Sequence, residues 1–328
     1  MPRSCPASIE PIVQAFVDPP DIDLLQSLAG EAWDDITVTA IALGLAPLLH
    51  YRLSRLDLTI PPPALAKLAV TRQAQAKRNE AIARQLAELL AAFAARHIDV
   101  LVLKGAYLAP TAYPEPAFRP MNDIDLLFRP EDLAGVGPVL EGLGYCGKHK
   151  DAGFGPGITK HLSTYRRAGQ DGSTPNPFLS AGGERTVEPH GSLEESWFGL
   201  AVDITPGVWA RARPAVLHGQ PAYRLSTPDL LLHLAVHAAF HLIMGASLFL
   251  QLHDIKQVAT TWADEIDWSR LLTLARSAGA QPFLFAGLYW ARRLYRAPLP
   301  EAPLSELAEA CPPDLISYIR SLDAATML

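Results

Sequence analysis

The segment Asn122-Asp123-Ile124-Asp125-Leu126-Leu127 holds two carboxylates one residue apart in an otherwise apolar run. Such a run reads as a strand, whose two-residue period turns Asp123 and Asp125 to one face and Ile124 and Leu126 to the other. Like charges held this close repel each other unless a cation sits between them. Hard carboxylate oxygens at this spacing suit Mg²⁺ or Mn²⁺, ions that keep waters and complete their shells with phosphate oxygens. An isolated Asp-x-Asp is more simply read as the wet face of an ordinary sheet, so its company has to decide.

That company is chemically coherent. Upstream, the apolar run Val100 to Leu103 ends in Lys104-Gly105-Ala106, a tight turn opening into a helix. Free backbone N–H groups and the helix dipole favour phosphate at such a terminus. Arg119 supplies a fork-shaped donor for phosphate or for charge at a reacting centre. Glu188, in a later short strand from Arg185 to Pro189, can complete a carboxylate set.

The surrounding pattern shows what must position these groups. Up to about His97 the chain reads as helical, with a Pro61-Pro62-Pro63 break before a long helix whose Ile82, Leu86, Leu89 and Phe93 form one apolar stripe. Arg72, Lys77, Arg78 and Arg84 are expected on its solvated face. From Asp99 onward, strands at Val100 to Leu103 and Ile124 to Phe128 alternate with helices, the second opening at Pro130-Glu131-Asp132, which is an α/β signature. A further strand is expected from His161 to Arg167, and the Gly, Ser, Pro and Thr content of Gly169 to Gly183 predicts a mobile loop. The Ser226-Thr227-Pro228-Asp229 cap then opens an all-helical part, with helices near Leu230 to His241, Leu248 to Ala259, Trp268 to Ala278 and Pro282 to Tyr295.

Bulk properties exclude some classes. With 328 residues, 49% of them hydrophobic and 19% charged, the chain can bury a large core without disulfide staples. Cys5, Cys146 and Cys311 are far apart and read as reduced thiols. A formal charge of −6 leaves nucleic acid open as a partner without favouring it. No basic leader with an apolar run follows Met1, so a cytoplasmic location is expected. The apolar stretch Leu230 to Leu252 carries His233, His237, His241 and Gln251, and is expected as buried helix, not a membrane span.

Taken in order, Leu103-Lys104-Gly105-Ala106, Tyr113, Arg119-Pro120-Met121-Asn122-Asp123-Ile124-Asp125-Leu126-Leu127, Gly142-Leu143-Gly144-Tyr145 and Val187-Glu188-Pro189-His190 resemble an uncharacterised bacterial nucleotidyltransferase family of the polymerase-beta-like superfamily. So do Leu232-His233-Leu234 with His237, Leu252-His253-Asp254-Ile255 and Asp267-Trp268, and the resemblance runs roughly from Asn79 to Ala278. It implies an α+β fold with an α/β-like core: a small mixed sheet in residues 98–225, flanked by N-terminal helices (1–97) and a C-terminal helical bundle (226–328). It also implies that Asp123 and Asp125 bind two metal ions and that Glu188 is the third carboxylate. A nucleoside triphosphate would then lie near Lys104, Gly105, Ala106, Arg119 and Asn122. The reaction implied is attack on the α-phosphate with pyrophosphate leaving. Where superfamily members carry Gly-Ser this chain has Gly105-Ala106, and Gly191 stands where relatives often place Trp after the Glu-x-His strand.

His233, His237 and His241 lie four apart on one helix face. Zinc sites use such spacing, but no Glu or Cys partner stands nearby, so zinc, packing and contact with nucleotide or acceptor all remain readings. The resemblance falls on His190, His237 and Asp254 as acceptor or interdomain contacts. The acceptor itself is left open between a small hydroxylated metabolite, a peptide or protein and an RNA end. A non-catalytic nucleotide-binding regulator and a plain helical interaction module are the competing classes. Limited proteolysis of the ligand-free protein should nick first between Gly169 and Gly183; a segment as resistant as the Leu101 strand would overturn the loop reading.

Overall fold

The computed structural model describes residues 8–148, 163–167, 186–197 and 199–324, so the expected loop from Gly169 to Gly183 lies outside the described residues. The chain opens with α1 (Ile9–Phe16), α2 (Ile22–Gln26), α3 (Ala32–Ala42), α4 (Ala46–Leu53) and the long α5 (Pro62–Ala94). Pro62 and Pro63 occupy the first turn of α5, where no intrahelical N–H is lost. Its stripe of Ile82, Leu86, Leu89 and Phe93 is buried as the periodicity requires. The solvated-face expectation fails for Arg78, which is 2% exposed and donates to Gln75 Oε1 at 2.7 Å. α5 is covered on more than its apolar stripe, and its buried polar side chains bond one another. Arg72 pairs with Glu115 at 2.7 Å, while Arg84 stays exposed and pairs with Glu80.

Next come β1 (Leu101–Val102), α6 (Lys104–Thr111), β2 (Asp123–Leu127), α7 (Leu133–Gly142), β3 (Tyr145–Lys148), β4 (Thr164–Arg167) and β5 (Thr186–His190). They are followed by β6 (Glu194–Trp197), β7 (Leu200–Asp203), α8 (Val208–Arg211), β8 (Arg213–Leu217) and β9 (Gln220–Arg224). A mixed seven-stranded sheet forms in the order β3-β4-β5-β2-β1-β9-β8, and β6 and β7 make a separate hairpin. β2 runs antiparallel to β1 and parallel to β5. Strands β3 and β6 to β9 have no counterpart in the sequence reading. Their alternation is short and interrupted, and tertiary pairing rather than local preference makes them strands.

The C-terminal part is helical throughout: α9 (Thr227–Ile243), α10 (Phe249–Thr261), α11 (Trp268–Ser277), α12 (Gln281–Tyr295), α13 (Glu301–Glu309) and α14 (Pro313–Ser321). Ser226 caps α9 by accepting from the Asp229 N–H, as the Ser-Thr-Pro-Asp pattern requires. Lys256 on α10 donates to the Phe16 carbonyl at 2.6 Å and to Asp18 at 3.0 Å, tying the end of α1 to the C-terminal helices. Among the described residues no helix is long and apolar enough to cross a membrane.

Gly287 sets a close helix approach. A Cβ there would lie 2.7 Å from Ala235 Cβ and 2.8 Å from Ala235 Cα, so α12 meets α9 almost backbone to backbone. Gly287→Ala should therefore lower the urea midpoint, because overpacking costs about 1–3 kcal/mol against the roughly 1 kcal/mol that alanine gains in a helix. An unchanged or higher midpoint would mean that the two helices separate freely.

Candidate active site

β2 and β5 pair in register, Asp123 opposite Thr186, Asp125 opposite Glu188 and Leu127 opposite His190. With a two-residue period, Asp123, Asp125, Glu188 and His190 share one face of the sheet, while Ile124, Leu126 and Val187, each 0% exposed, fill the core on the other. Ligand atoms of Asp125, Glu188 and His190 all lie within 4.8 Å of one another. The sequence reading grouped Asp123, Asp125 and Glu188. The structure brings Asp125 and Glu188 together with His190 and leaves Asp123 outside that tight group, one strand period away.

Asp125 is nearly inaccessible, and its Oδ1 accepts from Lys104 Nζ at 3.0 Å and is bonded to His190 Nε2 at 2.7 Å. Burial alone would lift its proton affinity, but the Lys104 charge and the His190 bond hold it well below the usual carboxylate range. Among the described residues Asp123 has no such partner of its own. Burial first, then the charge of Asp125, pushes it up to about 7, with Glu188 adding and Lys104 and Arg119 opposing. For Lys104, burial works against the ammonium, but Asp125, Asp123 and Glu195 outweigh it and raise its pKa.

Lys104 opens α6, two residues earlier than the sequence pattern suggests, with a φ of +42°. A side chain in the left-handed region costs about 1–2 kcal/mol, and strain of this kind gathers at functional sites. Next to it, Gly105 is held by close approach. A Cβ there would meet Met121 Cγ at 2.8 Å and Arg119 Nη1 at 3.2 Å. Ala106 is buried behind it, and the exposed Asn122 stands just before β2. The tight turn expected at Lys104-Gly105-Ala106 is thus present but lies beneath Met121 and Arg119.

Arg119 is engaged elsewhere. Its Nε and Nη2 donate to both oxygens of Asp254 at 2.8–3.0 Å, and Nη1 donates to the Pro120 carbonyl at 2.5 Å. Burial disfavours the guanidinium's charge, but Asp254 more than offsets this and keeps it firmly protonated. Tyr113 Oη also donates to Asp254, at 2.7 Å, and lies 3.1 Å from His253 Nδ1. Burial and the neighbouring Lys256, Arg52 and Arg119 charges push His253 down to about 3, so it stays neutral.

On α9, the rings of His233, His237 and His241 follow one another at 6.2 and 4.2 Å, and His237 Nδ1 is bonded to Glu195 Oε1 at 3.0 Å. Among the described residues this row belongs to no group of three metal-ligating atoms. Glu195, which also acts on Lys104, went unnoticed in the sequence because nothing local marks it out from Glu194.

Two carboxylates are hard donors that fit a divalent cation, and His190 fixes the orientation of one of them through Nε2. Burial and the neighbouring Asp125 charge together raise Asp123, and Lys104 only partly opposes them.

The profile of a family described as uncharacterised nucleotidyltransferase matches residues 29–296. No curated protein matches the chain. Among solved structures, the antibiotic-resistance factor ANT(2'')-Ia in solution is 14% identical, over 60% of this chain and 93% of its own, with a TM-score of 0.39. The crystal structure of ANT(2")-Ia in complex with adenylyl-2"-tobramycin is 12% identical, over 61% and 97%, with a TM-score of 0.41. An antigenic nucleotidyltransferase-like protein from Paracoccidioides brasiliensis is 14% identical, over 74% and 93%, with a TM-score of 0.35.

Because the folded pKa of Asp123 is raised, the folded chain keeps a proton between about pH 4 and pH 7 that the unfolded chain has released. Metal-free stability therefore falls as pH rises through that window, whereas the contribution of Asp125 is lost only at lower pH. Asp123→Asn should raise the melting temperature of the metal-free protein by a few degrees near pH 8, at about 2–4 °C per kcal/mol, with the gain shrinking towards pH 4. A loss near pH 8, or a gain independent of pH, would contradict the charge assignment.

Proposed function

The chain belongs to the family of uncharacterised nucleotidyltransferases, and on that premise we propose that it moves a nucleoside monophosphate from a nucleoside triphosphate to an acceptor hydroxyl or phosphate, releasing pyrophosphate. The observation that supports this most is the β2–β5 register, which sets Asp125 beside Glu188 with Asp123 and His190 on the same face. Asp123, Asp125 and Glu188 are the residues that would hold Mg²⁺ or Mn²⁺, in this reading two ions. When bound, such ions supply Lewis-acid stabilisation of the attacking and leaving oxygens.

The side chains have separate tasks in this reading. His190 Nε2 and Lys104 Nζ keep Asp125 ionised and fixed in direction. Lys104 holds a cation in the site and can turn it to the triphosphate, alongside backbone N–H groups of Gly105 and Ala106 and the side chain of Asn122. Glu188, at the open side of the pair, takes the proton of the acceptor hydroxyl. Arg119, held by Asp254, acts mainly by seating the Gly105 turn. Residues 98–225 carry the chemistry, and the helical parts 1–97 and 226–328 frame it. The acceptor is a small hydroxylated metabolite, a peptide or protein, or an RNA end. In this reading His237, bonded to Glu195, would contact it.

The test is incubation with each labelled triphosphate, Mg²⁺ or Mn²⁺ and a fractionated cell extract, followed by identification of the labelled product. Asp125→Asn should lower transfer by several powers of ten, as expected where catalysis is largely electrostatic. Glu188→Gln should leave triphosphate affinity within a few-fold while single-turnover transfer falls about a hundredfold or more. A near-native rate in Asp125→Asn excludes the mechanism, and parallel loss of binding and transfer in Glu188→Gln moves that carboxylate to the triphosphate side.

A further inference from the structure

Away from the acidic site, where α12, α13 and α14 converge, a cavity of about 370 Å³ is ringed by Arg292, Arg293 and Arg320. Phe285 and Leu304, both buried, form its floor, and Tyr289 stacks on Phe285 at 5.5 Å with 18° between the rings. Guanidiniums in the last turn of a helix are ordinarily explained by the helix dipole. Here the surrounding groups leave charge over. Arg292 pairs with Glu301, but among the described residues Arg293 donates to neutral oxygens, the Tyr289 hydroxyl at 2.9 Å and the Arg320 carbonyl at 3.0 Å. Arg320 has no carboxylate partner among the described residues and instead lies over the Phe285 ring, 5.8 Å from its centroid.

Three cations and one carboxylate around one small cavity make a positive island in a chain whose formal charge is −6. Such cations repel one another until an anion enters, and planar guanidiniums bind phosphate in a forked geometry. The apolar floor and the tyrosine face favour a flat ring on the same ligand. We propose that this cavity binds a nucleoside monophosphate, with the phosphate among Arg292, Arg293 and Arg320 and the base against Tyr289. No metal takes part, because the charge is supplied by arginine. This separates it from the acidic site, where carboxylates would repel a phosphate in the absence of cations.

The experiment is calorimetric titration of the full chain in EDTA with adenosine monophosphate and, separately, with inorganic phosphate. Adenosine monophosphate should bind about tenfold more tightly than phosphate, the factor that about 1.4 kcal/mol of ring contact provides. Arg320→Gln should weaken it about tenfold or more, as loss of a charge-assisted bond does. Glu301→Gln should tighten it by freeing Arg292. Arg320 and Glu301 are exposed, so neither substitution threatens the fold. No binding in EDTA at millimolar concentration, or binding that Arg320→Gln leaves unchanged, overturns the proposal. Equal affinity for phosphate and the nucleotide overturns the assignment of the ring.

Discussion

Asp125 Oδ1 meets Lys104 Nζ at 3.0 Å and His190 Nε2 at 2.7 Å in surroundings almost closed to water. A carboxylate so buried takes up a proton unless cations or donors face it. The partners come from separate elements, Lys104 from the first residue of α6 and His190 from the end of β5. One oxygen therefore ties the turn after β1, the acidic strand β2 and its parallel neighbour β5. The left-handed backbone at Lys104 is the local strain that this bond sustains. Two residues along, Asp123 bears the opposite consequence, pushed up to about 7 by burial and by Asp125. Carboxylates driven apart in this way are suited to different roles.

A second buried charge pair carries the same region into the C-terminal helices. Arg119 lies against Gly105 on one side and donates to both oxygens of Asp254 on the other. A buried ion pair is tolerated when its remaining hydrogen-bonding capacity is met. Tyr113 meets it here by donating to Asp254, and the neutral His253 adds no charge against Arg119. Removing one partner would leave the other's charge uncompensated in the core, so α10 and the Lys104-Gly105 turn are mechanically joined. Lys256, three residues from His253 on the same helix, extends that joint to the end of α1.

The helix face of His233, His237 and His241 belongs to this electrostatic frame. His237 is bonded to Glu195, and the charge of Glu195 reaches Lys104. The acidic face, the lysine inside it and the histidine row thus form one charged region built from β2, β5, β6, α6 and α9. The arginines of α12 and α14 lie apart from it, and the two regions have opposite sign in one acidic chain.

The Asp-x-Asp spacing was legible because a strand's period needs only its own residues to set which side chains share a face. The Ser226 cap, the stripe of α5 and the helices from α9 to α12 were legible for the same reason, each being fixed by neighbours within a few residues. Glu188 was grouped with the aspartates through the resemblance, but the parallel register of β2 with β5 that also brings His190 onto Asp125 was not legible, since that contact spans more than sixty residues of chain. Nor was the engagement of Arg119 by Asp254, the burial of Arg78, or the role of Glu195 beside His237. Each depends on which surfaces meet, and a side chain's charge and partners are decided by the groups that fold against it. The sequence by itself therefore determined which residues could act and on which faces they lie. Only the tertiary structure decided which of them share an oxygen, which are masked by a partner, and which carry a proton.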